Sequence, residues 1–413
     1  MMRFDWKKAL RAVAMAAVLM AVLGGLGWFL FLIILLTGVL PVYAVWALAA
    51  VYAAGLLALI LLNSDYLGPR GRRAVGRCML CVCAGAAIYA AWGAWNDSIP
   101  TLDDRSLLLE QYEPFAENTL AAKLDGPASL RFDDFTARRL KLDGATALYP
   151  VYAAFVQAVY PEGDYALYPR GGSDSPYAGV VLCTNTVNAY DRLVQREADV
   201  IFAAAPSADQ LAQAEEAGIE LYFTPIGQEA FVFFVNSRNP VTGLTVEEIR
   251  GIYSGSITNW SQVGGENRSI RPFQRAANSG SQSALERLMD GLPLLEPEQE
   301  DQISAMDGII QQVASYRNYQ NAIGFSFRYY ATEMVTSEEI RLLALDGVVP
   351  TPETIRDGTY PLSSCFYAVT AAPAGLPDPR ETDPELDAFL DWICGPEGQL
   401  LVERTGYVSL PVG

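Results

Sequence analysis

The feature that most constrains this chain is an uncharged run near its start: residues 12–64 contain no Asp, Glu, Lys or Arg. A helix needs about 20 apolar residues to cross a bilayer. The run of 53 residues is therefore long enough for two crossings, with Pro41 in the turn between them. A third apolar stretch follows at 78–95. We expect a membrane domain over residues 1–96 with three transmembrane helices, at about 12–37, 42–63 and 78–95.

Basic residues flank these stretches in two clusters: Arg3, Lys7, Lys8 and Arg11, then Arg70, Arg72, Arg73 and Arg77. Short cationic loops stay in the cytoplasm, so the N-terminus should lie inside and residues from 97 onward outside. The alternative is a cleaved signal peptide followed by buried core helices. A signal peptide has one short apolar region, which fits this pattern poorly. We therefore expect a multi-pass protein of the cell membrane with an extracytoplasmic domain.

The chain has no histidine, and 47 Asp plus Glu against 29 Lys plus Arg give it a net charge of −18. The missing histidine excludes Ser-His-Asp triads, Cys-His pairs and His-ligated zinc or haem. The acidic balance argues against a nucleic-acid partner. We expect no enzyme activity, no metal and no cofactor. Outside the membrane domain, Cys183, Cys365 and Cys394 fit either one disulfide with one free thiol or three buried thiols.

Strand-like and helix-like runs alternate after a polar stretch, 97–140, that we interpret as an extracytoplasmic linker. The strand-like runs lie at 178–184, 198–205, 219–224, 230–236, 340–345 and 365–370. The helix-like runs lie at 188–196, 208–217, 246–253, 281–289 and 384–393. This alternation predicts an α/β fold with largely parallel sheets. The spacing of Tyr149, Tyr152 and Tyr160 predicts a helix that packs them into the core.

One segment, 275–282, has the residues of a small-anion site. Unpaired N–H groups at a helix start point outward, and the helix dipole favours negative charge there. Gly280 would let a ligand approach the backbone, while Ser279 and Ser281 add hydroxyl donors. Arg275 could supply a planar, bidentate guanidinium. Taken alone, the same residues also fit a plain helix N-cap and a surface cation.

Two further segments have the same character. Thr146 and the amide of Ala147 would be donors at the start of a helix. Residues 183–186 join a strand to a helix, at the carboxyl end of the strand where open α/β sheets bind ligands. Each segment alone also fits an ordinary connecting turn. Three such segments beside one α/β core together favour an anion site.

Several motifs carry a resemblance to a known family. Residues 144–152 (Gly-Ala-Thr-Ala-Leu-Tyr-Pro-Val-Tyr) resemble the amino-terminal motif of the phosphate-binding proteins of high-affinity phosphate ABC transporters (PstS-like proteins). Arg275 with residues 279–281 resembles their Arg, Ser, Gly, Thr phosphate loop, with Ser281 replacing the usual threonine. Further landmarks are similar at 252–260, 307–309 and 322–325.

The resemblance implies a two-lobed clamshell of the type II periplasmic-binding-protein class, here preceded by three transmembrane α-helices. It would hold a dehydrated anion between its lobes by hydrogen bonds. The solute-binding domain would be 141–413, with lobe one at 141–230 plus 345–413, lobe two at 231–344, and crossings near Asn236 and Ala344. Carried over residue by residue, the ligand-binding set is Thr146, Ala147, Thr186 or its neighbour Asn185, Arg275, Ser279, Gly280 and Ser281.

One position departs from the family pattern. The family commonly has an aspartate just before an Ala-Pro pair, where it accepts the proton of bound hydrogen phosphate. Here Ala204 occupies that place. A carboxylate there repels a fully deprotonated oxyanion such as sulfate, because two acceptors would meet with no hydrogen between them. Its loss predicts weaker discrimination unless another acid takes over, and Glu229 is our candidate.

The sequence thus predicts a membrane-anchored extracytoplasmic solute-binding protein for inorganic phosphate, or a related oxyanion, that delivers it to ABC permease subunits. Three spans exceed what an anchor needs. That excess motivates a second hypothesis, a sensor subunit that passes ligand-driven closure through the spans to a signalling partner. A third hypothesis is an adhesion or scaffold ectodomain that binds no anion.

Overall fold

The structure of the chain, a computed structural model, describes residues 42–62, 68–98, 109–132, 140–165, 167, 175–297, 302–303, 306–314, 321–335 and 337–411. The chain divides into two compact units, Met1–Thr101 and Leu102–Gly413. The first predicted span, 12–37, lies outside the described residues.

The first unit contains two apolar helices, α1 (Val42–Leu62) and α2 (Pro69–Ser98), which pack against each other. Among the described residues, one helical stretch, Pro69–Ala91, has both the length and the mean hydropathy (1.7) to cross a membrane. Helix α2 begins before the expected position 78, so the second basic cluster lies on its first turns. The three-span topology stays a prediction.

The second unit is a mixed α/β domain. Its described strands are β1 (Leu142–Gly144), β2 (Val200–Ala203), β3 (Ile219–Asn236), β4 (Gly243–Leu244), β5 (Arg271–Pro272), β6 (Gln274–Arg275), β7 (Gln302–Ile303), β8 (Ala322–Phe327), β9 (Ile340–Leu342), β10 (Ala344–Leu345) and β11 (Ser363–Pro373). Its described helices are α3 (Tyr149–Val159), α4 (Thr186–Val194), α5 (Ala208–Glu216), α6 (Val246–Tyr253), α7 (Gly280–Met289), α8 (Met306–Ala314), α9 (Pro352–Arg356), α10 (Pro379–Thr382), α11 (Pro384–Cys394) and α12 (Pro396–Thr405). A proline in the first turn, where its fixed φ suits a helix, opens α3, α9, α10, α11 and α12.

One seven-stranded sheet runs through this unit in the order β1-β2-β11-β3-β8-β5, with β9 also paired to β3. The pairs β1–β2 and β5–β8 are parallel. Strand β11 runs antiparallel to β2 and β3, and β3 runs antiparallel to β8 and β9. The prediction of largely parallel sheets is therefore wrong for this sheet, because apolar runs mark buried strands but carry no information on their direction. The two-stranded sheets β4–β10 and β6–β7 are both parallel.

Strand β3 joins two lobes. It pairs with β11 up to Ala230 and with β8 from Phe231 onward. This change of partners lies at the predicted lobe boundary, 230/231, and before the crossing expected near Asn236. On the return, β10, at the crossing expected near Ala344, pairs with β4, and Ser363 pairs with Ala230. The division into two lobes at these bounds stays a prediction. We call the part around β1, β2, β11 and α3–α5 lobe one, and the part around β5, β8, β9 and α6–α8 lobe two.

Aromatic side chains hold α3 against the sheet. Tyr149, Tyr152 and Tyr160 are fully buried, which confirms that they belong to the core. The ring of Tyr152 stacks on Phe202 at 4.9 Å, and its hydroxyl donates to the carbonyl of Leu182 (2.7 Å). The hydroxyl of a buried tyrosine usually has such a partner. The packing thereby fixes the start of α3 relative to β1 and β2.

Residues 109–132, here called the lead-in segment, lie against the domain rather than apart from it. Leu109, Tyr112 and Ala121 are buried in the same core as α3. The amide of Phe132 donates to the carbonyl of Val159 (2.9 Å). Residues 109–132 of the predicted linker are therefore packed against the domain and do not form a free tether.

Candidate functional site

The first predicted donor segment opens α3. Strand β1 ends at Gly144, where a Cβ atom would lie 2.6 Å from the carbonyl oxygen of Phe202, so only glycine fits. The amide of Ala145 donates to that same carbonyl (2.8 Å). A 3-10 turn then begins at Thr146 and continues into α3. Thr146 and Ala147 therefore stand at a helix start, where N–H groups lack intrahelical partners.

The second donor segment opens α4. Asn185 is its N-cap, with a φ of 89°, and its side-chain oxygen accepts from the amide of Asn188 (3.1 Å). Asparagine tolerates positive φ better than most residues and is among the preferred N-caps. Thr186 is the first helical residue and is nearly buried. The Asn185 cap thus holds the first turn of α4 in place, with Thr186 buried inside the domain.

The third donor segment lies in lobe two, between β6 and α7. The amide of Arg275 donates to Oε1 of Gln282 (2.9 Å), and Nε2 of Gln282 donates to Oε1 of Gln274 (3.2 Å). Ser279 is the N-cap of α7, which begins at Gly280. Gln282 therefore ties the strand that carries Arg275 to the first turn of the helix, so that the arginine and the helix start move as one body.

These three segments meet at one cavity of about 190 Å³ between the lobes. Its lining contains every residue of the predicted ligand-binding set: Thr146, Ala147, Asn185, Thr186, Arg275, Ser279, Gly280 and Ser281. The other lining residues are Ala145, Val187, Asn188, Ala276 and Phe327. The described lining thus offers helix-start amides, hydroxyls and one guanidinium, with no Asp or Glu among them. That donor set suits an oxyanion.

Contacts across the rim close the cavity. The hydroxyl of Ser207 in lobe one donates to Oδ1 of Asn278 in lobe two (2.8 Å). The guanidinium of Arg287 in lobe two lies 3.3 Å from the carbonyl oxygens of both Ala205 and Pro206 in lobe one. The structure is therefore a closed form in which the two lobes touch.

Glu229, the expected replacement for the family aspartate, is absent from the lining of this cavity. Together with Ala204 it lines an adjoining void of about 20 Å³, which shares Ala145, Ala147, Thr186 and Phe327 with the cavity. The Glu229 oxygens accept from the amides of Ala230 (2.8 Å) and Tyr329 (3.1 Å), and one lies 3.7 Å from Nε of Arg328. The replacement of the family aspartate by Glu229 stays a prediction.

Burial raises the pKa of Glu229 to about 7. The charge of Arg328 and the hydrogen bonds from Ala230 and Tyr329 oppose this effect without cancelling it. The residue lies in β3 immediately before the strand changes partners at Ala230. A group that titrates near neutral pH therefore sits at the crossing between the lobes.

Sequence reasoning missed Asp143, which joins the segment before Thr146 to the segment before Thr186. Its carboxylate is fully buried and accepts from the amides of Gly144 (2.7 Å) and Thr184 (2.9 Å). It also accepts from the Thr184 hydroxyl (2.8 Å) and lies 3.0 Å from Nε of Arg192. The one signal in the sequence is an acidic residue directly before the glycine that ends a short apolar strand.

The cysteines are free thiols, which decides between the two alternatives left by the sequence. Cys183, Cys365 and Cys394 are each partly buried rather than fully buried. Within the described residues, no group of three His, Cys, Asp or Glu side chains is placed to hold a metal ion.

Several named proteins align with this chain. The phosphate-binding protein PstS of Borreliella burgdorferi is 25% identical over 192 residues, covering 45% of this chain and 65% of that protein. PstS of Bacillus subtilis is 26% identical over 202 residues, covering 48% and 61%. PstS of Pseudomonas aeruginosa (strain PAO1) is 25% identical over 285 residues, covering 65% and 81%. The chain thus spans less than two thirds of the length of the first two.

Solved structures also match. An ABC-type phosphate transport receptor from Vibrio cholerae aligns with a TM-score of 0.46 at 20% identity, over 66% of this chain and 100% of that chain. PstS from Borrelia burgdorferi aligns with a TM-score of 0.41 at 18% identity, over 66% and 99%. The family model described as a PBP superfamily domain matches residues 133–397, which is more than half of the chain. The chain therefore belongs to the PBP superfamily.

Proposed function

We propose that this chain is a membrane-anchored extracytoplasmic solute-binding protein that captures inorganic phosphate between its two lobes. The observation that carries the proposal is the donor set of the cavity. Helix starts from both lobes and Arg275 face one closed space whose described lining has no acidic side chain. The relatives named as phosphate-binding proteins support phosphate as the oxyanion.

The chemistry of capture follows from these donors. Amides at the starts of α3, α4 and α7 would replace the water shell of the anion, and each helix dipole favours its negative charge. The planar guanidinium of Arg275 would add two parallel, charge-assisted hydrogen bonds to the anion. Two donor segments belong to lobe one and one to lobe two, so the anion is fully coordinated only when the lobes close.

The ligand preference should differ from that of a site with an acidic proton acceptor. Ala204 offers no carboxylate toward a bound anion, so a protonated and a fully deprotonated oxyanion are distinguished less strongly. The test is competition of sulfate against radiolabelled phosphate on the full-length chain and on Ala204→Asp. We expect sulfate to compete with the unaltered chain and at least tenfold less well with Ala204→Asp. Equal competition in both would contradict this explanation.

The membrane part extends the proposal to localisation and partners. We propose a multi-pass protein with a cytoplasmic N-terminus that delivers phosphate to ABC permease subunits. In a variant whose six native cysteines are replaced by serine, single cysteines introduced at Ser64 and Ser98 and labelled with an impermeant reagent on intact cells test the topology. Labelling at position 98 alone is expected, because 64 should face the cytoplasm. Labelling at position 64 would refute the three-span arrangement.

A second candidate function, ligand sensing, is favoured by a chain of tyrosines from the cavity to the lead-in segment. The hydroxyl of Tyr407 donates to the carbonyl of Ala147, a cavity residue. The ring of Tyr407 lies 4.3 Å from that of Tyr329, whose hydroxyl is hydrogen-bonded to Tyr112 in the lead-in segment. A shift of Ala147 can therefore be passed by direct contacts through Tyr407 and Tyr329 to Tyr112 in the lead-in segment.

Hydrogen exchange separates sensing from delivery alone. If the tyrosine chain transmits ligand binding, phosphate should slow amide exchange in residues 109–132 of the full-length chain, and Tyr112→Phe should abolish that effect with little change in affinity. Tyr222→Phe is the matched control, because its hydroxyl donates to Leu376 on the surface of lobe one. An unchanged lead-in segment on phosphate binding would leave delivery as the function.

A further inference from the structure

In the sequence, Asp143 comes two residues before the first cavity residue, Ala145, but its own side chain does not line the cavity. It is absent from the residues that line the cavity, as is its partner Thr184. Its carboxylate is nevertheless fully buried, which is costly unless its oxygens are hydrogen-bonded or paired. A buried acid next to an anion site also opposes the charge of the ligand. Both the burial of this carboxylate and its repulsion of an anionic ligand are unfavourable, so its contacts must contribute to the fold or to the site.

The partners of Asp143 indicate what that role is. Oδ1 accepts from the amides of Gly144 and Thr184, and Oδ2 accepts from the Thr184 hydroxyl. One side chain therefore joins the segment that leads into Thr146 to the segment that leads into Thr186. The two segments are 41 residues apart in the chain. Their relative position decides where two of the three donor helices begin.

Arg192 completes this arrangement. Its Nε lies 3.0 Å from Oδ2 of Asp143, and its terminal nitrogen bonds Glu197 (2.7 Å). Arg192 lies in the last turn of α4, whose first turn borders the cavity. It ties the body of that helix to Asp143 and also balances the negative charge beside the anion.

We propose that Asp143 is a positioning residue for anion binding, which holds the starts of α3 and α4 at the spacing that one oxyanion needs. The inference rests on the proposed function, since it assigns a role within that site. Asp143 acts through the two segments and does not touch the ligand. Loss of an outer partner of a metal ligand costs on the order of 10–100-fold in affinity, and we expect a similar loss here.

Three variants of the full-length chain in detergent test this role by calorimetric titration with inorganic phosphate. Asp143→Ala removes every contact and should weaken binding at least tenfold. Asp143→Asn keeps an acceptor for the two amides and should recover most of that loss. Thr184→Val removes only the hydroxyl donor and should weaken binding severalfold, which provides a test even if Asp143→Ala does not fold.

The matched control is Asp199→Ala. Asp199 accepts from the amide of Lys141, at the end of β1 away from the cavity (2.8 Å). This variant removes a carboxylate–amide hydrogen bond beside β1, as Asp143→Ala does, but away from the donor segments, so it should leave phosphate affinity unchanged. If Asp199→Ala weakens binding as much as Asp143→Ala and Thr184→Val do, the effect is a general loss of stability and the proposal fails.

Hydrogen exchange of the ligand-free proteins separates this inference from the proposed function. In Asp143→Ala and Thr184→Val, amides of 144–147 and 184–188 should exchange faster, while those of α5 and of 275–283 stay unchanged. Faster exchange throughout lobe one, or local loosening with unaltered phosphate affinity, would overturn the positioning role. Failure of the unaltered chain to bind phosphate would refute the proposed function instead, and unchanged exchange at 144–147 and 184–188 would refute the positioning role by itself.

Discussion

Gly280 and Thr186 face each other across the cavity so closely that a Cβ atom on Gly280 would lie 3.1 Å from Oγ1 of Thr186. The first residue belongs to the start of α7 in lobe two, and the second to the start of α4 in lobe one. A side chain at position 280 would therefore require Thr186 to shift by a few tenths of an ångström in the closed form. This relationship links the closing of the lobes to the size of a single residue.

Replacing Gly280 with alanine should weaken phosphate binding about tenfold, or about 1.4 kcal/mol. The added methyl group would push against Thr186 and hold the lobes slightly apart, so the anion could not reach donors on both sides. Calorimetric titration measures the change. Gly126→Ala is the control, since a Cβ atom there meets nothing within 4 Å. Equal affinities in both variants would show that close approach at Gly280 is unimportant.

Replacing Arg287 with methionine should speed phosphate release. Its guanidinium contacts the carbonyls of Ala205 and Pro206 only while the lobes are closed, and a net contribution of about 1 kcal/mol corresponds to a roughly fivefold faster dissociation. The association rate should change little, because these contacts form after the anion enters. Stopped-flow displacement measures both rates.

Arg268→Met is the control for Arg287→Met, because Arg268 pairs with Glu266 within lobe two. It should leave both rates unchanged. A slower association with an unaltered dissociation rate in Arg287→Met would mean that Arg287 steers the anion rather than holding the lobes together.

The stability of the second unit, Leu102–Gly413, should fall between about pH 5 and 8 because of Glu229. Its pKa is raised from 4.5 to about 7 in the folded state, so the folded protein holds a proton that the unfolded chain has already lost. Folding is then favoured at low pH and loses up to about 3 kcal/mol as pH rises through 7. Urea unfolding of residues 102–413, a compact unit, measures this dependence.

Glu229→Gln should remove most of this loss, so that its free energy of unfolding changes less between pH 5 and 8. The surface variant Glu266→Gln should keep the dependence of the unaltered protein. If Glu229→Gln and the unaltered protein show the same pH dependence, Glu229 is ionised in the folded state and its burial has been offset by Arg328.

Much of the candidate site could be predicted from the sequence because helix starts have local signatures. Ser279, Gly280 and Thr186 precede or open helices, and such positions are readable without knowledge of the fold. Asp143 could not be found in this way. An acidic residue before a glycine is typical of a turn, and only its contact with Thr184 reveals another role.

The course of the long strands was harder to predict. The sequence predicts two strand-like runs, 219–224 and 230–236, with Gln228 and Glu229 between them, but the structure joins both in one strand, β3, which changes partners at Ala230 and Phe231. Burial on both faces leaves no alternation to mark that change. The same limit applies to strand direction, since β3 and β11 have the composition of buried strands whichever way they run.

The central claim is that Arg275 and the three helix starts bind phosphate. The most direct test is calorimetric titration of the ligand-stripped full-length chain with inorganic phosphate, beside Arg275→Ala and the surface control Arg268→Ala. We predict micromolar or tighter binding, retained in Arg268→Ala and weakened at least 100-fold in Arg275→Ala, a loss of about 3 kcal/mol. A folded, anion-free chain that gives no heat with phosphate, or equal binding in all three proteins, would contradict the account.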